Sequence, residues 1–132
     1  MNKRNNNKKI NKKLETPVLL ITFNRPVNTR KVFEKIQQAK VKKLYIANDA
    51  PREGNTEDAK AREEIKKMVE EVDWDCEVHT NFQEKNLGCG WGPASAITWA
   101  FEKEDRLIIL EDDCVPSLSF FDYCSHCLEK YK

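Results

Sequence analysis

No stretch of this 132-residue sequence holds more than four aliphatic residues in succession; the longest runs are Val18–Ile21 and Leu107–Leu110. A membrane-spanning helix needs about 18 or more apolar residues, so the pattern excludes one. The N-terminus, MNKRNNNKKINKK, carries charge but no apolar stretch, which excludes a secretory signal peptide. Five cysteines are an odd number with no repeating framework, which points to reduced thiols and a cytoplasmic setting. Cys124 and Cys127 have the C-x-x-C spacing, but no second pair stands at zinc spacing. They fall in a predicted helix and read as buried structural thiols. The two histidines, His79 and His126, stand alone in the sequence and read as structural. There is no internal repeat.

Several motifs of nucleotide chemistry are also missing. No G-K-[ST] occurs, so there is no phosphate loop of the NTPase kind. "GCGWG" spaces its glycines as G-x-G-x-G and follows the third predicted strand, so it is not a dinucleotide fingerprint. No acid pair follows the first strand, as a phosphorelay receiver requires. No glycine-rich, arginine-containing loop follows it either, as a sugar-phosphate nucleotidyltransferase requires.

What is present is a charged, modest-core composition, 39% hydrophobic and 34% charged, suited to one domain. Six of the 23 Lys and Arg lie in residues 1–13 with no acid among them, so of a net charge of +1 the rest of the chain carries about −5. That acidic body speaks against nucleic-acid binding. Residues 1–15 read as a disordered polar leader, either a solubilising tail or a basic segment drawn to a membrane's cytoplasmic face or an acidic partner.

From residue 16 to residue 132 strand and helix patterns alternate. The predicted strands are PVLLITF (17–23), KKLYIAND (42–49), CEVHTNF (76–82) and RLIILEDD (106–113). The predicted helices are 28–40, capped by Asn28 or Thr29, then 56–72, 93–104 with Pro93 at its start, and 117–132. A glycine-bearing loop, QEKNLGCGWG, precedes the third helix. Four alternations predict a parallel sheet with helices on its faces, an α/β fold. The first and fourth strands, the most uniformly apolar, are expected at its centre.

Ligands of open α/β sheets bind beyond the carboxyl ends of the strands. Those positions hold Thr22 and Arg25, then Asp49, then Lys85, Gly88 and Trp91, then Glu111, Asp112 and Asp113. Acids closing an aliphatic strand suit a hard divalent cation, Mg²⁺ or Mn²⁺; alone they are also compatible with a solvated turn. Asp49 suits a hydrogen bond to a base or ribose, or a turn acid before Pro51. Arg25 suits a diphosphate or a surface ion pair. Trp91 suits a ligand wall or loop packing.

PVLLITFNRPVNTRKVFEKI, LYIANDAPR, NLGCGWGPASAITWAFE and LIILEDDCVPSLSFFDYC together resemble the nucleotide-sugar-binding half of GT-A glycosyltransferases. The family-2-like bacterial enzymes and the N-acetylglucosaminyltransferase I group are the nearest in flavour. The resemblance spans residues 16–132. It implies a Rossmann-like GT-A fold, three-layer α/β/α with a mainly parallel sheet. It also implies a nucleotide-sugar donor, UDP-sugar above all, transferred to a glycan or other acceptor with Mn²⁺ or Mg²⁺ as cofactor. Asp113, last acid of the D-x-D-like triplet, would bind the metal. Glu111 and Asp112 would contact ribose or donor sugar. Asp49 would bond the base beside Thr22, and Arg25 would face the diphosphate. Lys85, Gly88 and Trp91 would lie along the donor. Family members continue well past the triplet into an acceptor-binding part that supplies the catalytic base. The chain is therefore expected to be a truncated donor-binding half, inactive alone and prone to self-association through an incomplete sheet. The alternatives are a non-catalytic nucleotide- or phosphate-binding module acting with a partner, and an interaction domain with a merely solvated acidic rim.

Overall fold

The computed structural model describes residues 14–131; the predicted leader lies outside them but for Leu14 and Glu15. Four strands, β1 (Val18–Thr22), β2 (Lys43–Asn48), β3 (Glu77–Phe82) and β4 (Ile108–Glu111), alternate with four helices. These are α1 (Pro26–Ala39), α2 (Thr56–Val69), α3 (Gly88–Phe101) and α4 (Leu118–Lys130). All strand pairings are parallel, in the order β3-β2-β1-β4. The chain is thus a small α/β domain compatible with a Rossmann-like fold.

Side-chain alternation along the strands divides the core in two. Val18 and Leu20 of β1, Leu44 and Ile46 of β2, and Ile108 and Leu110 of β4 point to one face. There they meet Val32, Phe33 and Ile36 of α1, Met68 of α2 and Phe121 of α4. Leu19 and Tyr45 point to the other face and meet Ala96 and Ala100 of α3, with Leu107 and Ala47 in the same cluster. Three helices therefore cover one side of the sheet and one helix covers the other. Each fully buried Leu, Ile or Phe in these layers contributes about 1.5–3 kcal/mol.

The expected centre of the sheet is half right. β1 is internal, but β4 is an edge strand, and β2 takes the second internal place. Uniform apolarity misleads here because α3 packs chiefly on β1 and β2 and leaves β4 partly uncovered. Ile109 on that side is 38% exposed, whereas β2 is buried from Leu44 to Asn48.

Two helix starts also differ from expectation. α1 opens at Pro26, before Asn28 and Thr29, because a proline at the first helical position loses no intrahelical bond. Arg25 is its cap residue, and its carbonyl accepts both the N–H and the hydroxyl of Thr29. α3 opens at Gly88, so half of the glycine-bearing segment, with all three of its glycines, is helix and Pro93 is internal to it. An internal proline has no N–H for the carbonyl four residues back, which weakens this first turn locally. An acid just past β2 supports this end of the helix by another route, as described below. α2 begins where the sequence indicates. The Asn55 side chain caps it by accepting the Asp58 N–H, Glu57 and Asp58 lie in its first turn, and Lys66 and Lys67 lie in its last. All five cysteines are unpaired, and Cys124 packs half-buried against the larger core layer.

Candidate functional site

Strand register brings the carboxyl ends level. Thr22 lies opposite Asn48, Asn48 opposite Phe82, and Ile21 opposite Glu111. Beyond this line lies a groove of about 320 Å³ lined by Thr22, Phe23, Asp49, Arg52, Gly88 and Glu111, among others. Alternation explains its composition. Asp49 continues the Tyr45, Ala47 parity of β2, and Glu111 continues the Ile109 parity of β4. Both therefore emerge on the α3 side of the sheet, where the groove opens.

The acid triplet splits because β4 ends at Glu111 and the chain turns through Asp112 and Asp113. Glu111 and Asp113 are exposed, and their ligand oxygens lie within 4.8 Å of each other and of the Cys114 sulfur. Two carboxylates so placed fit a divalent cation that keeps water or phosphate oxygens as its remaining ligands. Asp112 turns inward and accepts a hydrogen bond from the Phe23 backbone; burial raises its pKa, an effect the nearby Arg25 opposes. The Arg25 guanidinium stands 3.9 Å from an Asp113 oxygen, both side chains being half exposed. A pair so long and so wet contributes little to stability. Arg25 thus stands beside the acids, outside the groove lining.

Asp49 is fully occupied. Its Oδ1 accepts the N–H groups of Ala50 (2.9 Å) and Leu87 (2.8 Å). Its Oδ2 accepts the N–H of Gly88 (3.0 Å) and, at 3.4 Å, the Asn86 amide. The carboxylate thus sits at the N-terminus of α3 and satisfies donors that no intrahelical bond reaches. Gly88 adopts φ +84°, a region that a side chain disfavours. Gly92 passes so close that a Cβ there would lie 3.1 Å from Asp49 Oδ2. Thr22 is likewise committed to structure: its hydroxyl donates to the Ala47 carbonyl and accepts from the Asn48 amide, which also reaches the Phe23 carbonyl.

The structure does not bring Lys85 or Trp91 to this groove. Lys85 is exposed in the loop after β3 and lines a separate depression with Asn81, Phe82 and Leu87. Trp91, 77% exposed, stands on α3 beside Ala94, Ser95 and Trp99. The helical start at Gly88 carries its side chain away from the strand ends.

Sequence reasoning missed Arg52 and the carboxylate that holds it. Asp58 is 3% exposed. It accepts Arg52 Nε at 2.8 Å, Arg52 Nη2 at 3.1 Å, the Arg52 N–H at 3.1 Å and the Asn24 amide at 3.0 Å. The forked pairing with Arg52 is the main reason the Asp58 pKa falls far below the usual carboxylate range. The guanidinium lies 5.8 Å from the Phe23 ring centre. A signal was available: Asp58 precedes Ala61, Ile65 and Met68 at helical spacing, which puts an acid on the buried face of α2.

Compared with protein-family models, curated proteins and solved structures, the chain matches none.

Proposed function

We propose that the groove is the donor site of a GT-A-type glycosyltransferase and takes a nucleoside diphosphate sugar, UDP-sugar foremost, with Mn²⁺ or Mg²⁺. The observation that carries this reading is the double position of Glu111. It lines the groove and also belongs to the oxygen cluster with Asp113. A ligand with a planar ring at one end and a polyphosphate at the other is accommodated by that continuity. Asp113 would hold the cation, with Glu111 close enough to share it or to reach the ribose. Arg25, beside Asp113, would meet diphosphate oxygens. When bound, the cation neutralises charge gathering on the departing diphosphate. The chain's own residues hold and orient the donor there.

The test is a thermal shift with UDP, with and without Mn²⁺, on the wild type and Asp113→Ala. The expected result is stabilisation by UDP that needs Mn²⁺ and disappears in Asp113→Ala. Equal shifts in both proteins, or none in a folded wild type, would rule the reading out.

A second reading, a non-catalytic nucleotide-binding module, is favoured by Asp49. The carboxylates lining the groove are Asp49 and Glu111. The first is consumed by four donors, and the second is assigned to donor and cation, so neither is left to activate an acceptor. UDP binding without consumption of any UDP-sugar supplied with candidate acceptors separates this reading from the first.

A further inference from the structure

We infer that Arg52 is the specificity-determining residue for the base of the nucleotide, reading a ring carbonyl with its free guanidinium nitrogen; this rests on the donor-site reading above. The groove has two chemically different ends. Asp113, Cys114 and Arg25 gather at the Glu111 end, which suits polyphosphate and cation. Toward β2, two strands away in the sheet, stand Asp49 and Arg52, with the Phe23 ring 5.8 Å from the guanidinium, a combination suited to a flat heterocycle rather than to a doubly charged group.

At that end Asp49 already accepts from Ala50, Leu87, Gly88 and Asn86. It has no lone pair well placed for a base amino group. Arg52 differs. Asp58 takes its Nε and Nη2 in a fork, which fixes the guanidinium plane, and Nη1 takes no part in that fork. Asp58 is itself buried and tied to Asn24, so the fork is anchored in the fold. A planar donor held this way beside an aromatic ring pairs with a carbonyl oxygen, such as O2 or O4 of uracil. An adenine amino group would find a donor facing it, with the Asp49 carboxylate beside it already engaged.

The test is calorimetric titration of UDP and ADP, each with Mn²⁺, into the wild type, Arg52→Lys and the double variant Arg52→Ala/Asp58→Asn. The double variant avoids stranding a buried charge, and melting curves establish that each protein is folded. The wild type should prefer UDP by about tenfold or more, the worth of one charge-assisted hydrogen bond. Both variants should lose that preference through weaker UDP binding, with ADP affinity unchanged. Arg52→Lys keeps the charge but not the planar fork. Retention of the full preference in Arg52→Lys would overturn the inference, and so would equal weakening of UDP and ADP. A wild type that binds both nucleotides without preference overturns this inference alone. A folded wild type that binds neither removes the donor-site reading, and this one falls with it.

Discussion

The carboxylate of Asp49, just past the end of β2, accepts the backbone N–H of Gly88 at 3.0 Å, the first residue of α3. One acid thereby ties the strand layer to the single helix that covers the second face of the sheet. It stands where the first two turns of α3 hold three glycines and a proline and have little intrinsic helical preference of their own.

Asp49→Ala should therefore cost stability, about 1–2 kcal/mol by the usual worth of a helix-capping side chain. Asp49→Asn, which keeps one accepting oxygen, should cost less. Urea unfolding at neutral pH reads both, and equal stability of Asp49→Ala and wild type would deny the carboxylate its capping role.

Two glycines of the same helix should respond in opposite directions. A Cβ at Gly90 meets nothing within 4 Å, so Gly90→Ala should gain up to about 1 kcal/mol of helical propensity. A Cβ at Gly92 presses on Asp49. Overpacking costs about 1–3 kcal/mol, which outweighs the propensity gain. Gly92→Ala should be the less stable of the pair in the same unfolding assay.

The pH dependence of stability should carry the signature of Asp58. Its folded pKa lies below its unfolded value of about 3.9. A depressed carboxylate contributes stability that is complete above the unfolded pKa and is lost as pH falls through the folded one. Wild-type stability should thus decline below about pH 4. Asp58→Asn should be less stable at pH 7 by about 1–3 kcal/mol, with a shallower acid decline. An acid decline as steep as that of the wild type would show that other carboxylates carry it.

Thr22→Val should destabilise the β1–β2 junction by about 1–3 kcal/mol, because it removes a partner from the buried Asn48 amide and from the Ala47 carbonyl. The Asn48 Oδ1 already lacks a partner among the described residues, so this pair of strand ends has little polar slack. Thermal unfolding measured beside Thr22→Ser, which keeps the hydroxyl and loses only the methyl, separates the hydrogen bonds from packing.

Much of the fold was legible because short apolar runs and helical stripes report burial directly. Val18–Ile21 and the Val32, Phe33, Ile36 stripe needed no partner to be recognised. The helix starts were less legible. Pro93 looks like a first helical residue in isolation, and only an acid 44 positions earlier, folded against Gly88, makes a helix that begins before it. The candidate site divides in the same way. Residues that close strands, Thr22, Asp49 and Glu111, were found because a parallel sheet puts strand ends on one edge. Lys85 and Trp91 were placed there by loop membership, and the helical path of α3 takes Trp91 elsewhere. Arg52 was missed because nothing local distinguishes it from any surface arginine.

By itself the sequence determined the alternation of strands and helices, the absence of a membrane-length apolar run, and the placing of three acids at the end of an aliphatic strand. These follow from periodicity and run length, which are local. Only the tertiary structure decided which strand lies at the edge, which acid caps a helix and which stays in the exposed cluster with Asp113, and which arginine enters the groove. Those outcomes depend on what stands opposite each side chain. A carboxylate such as Asp49 or Asp112 takes its role from the donors that the fold brings to it.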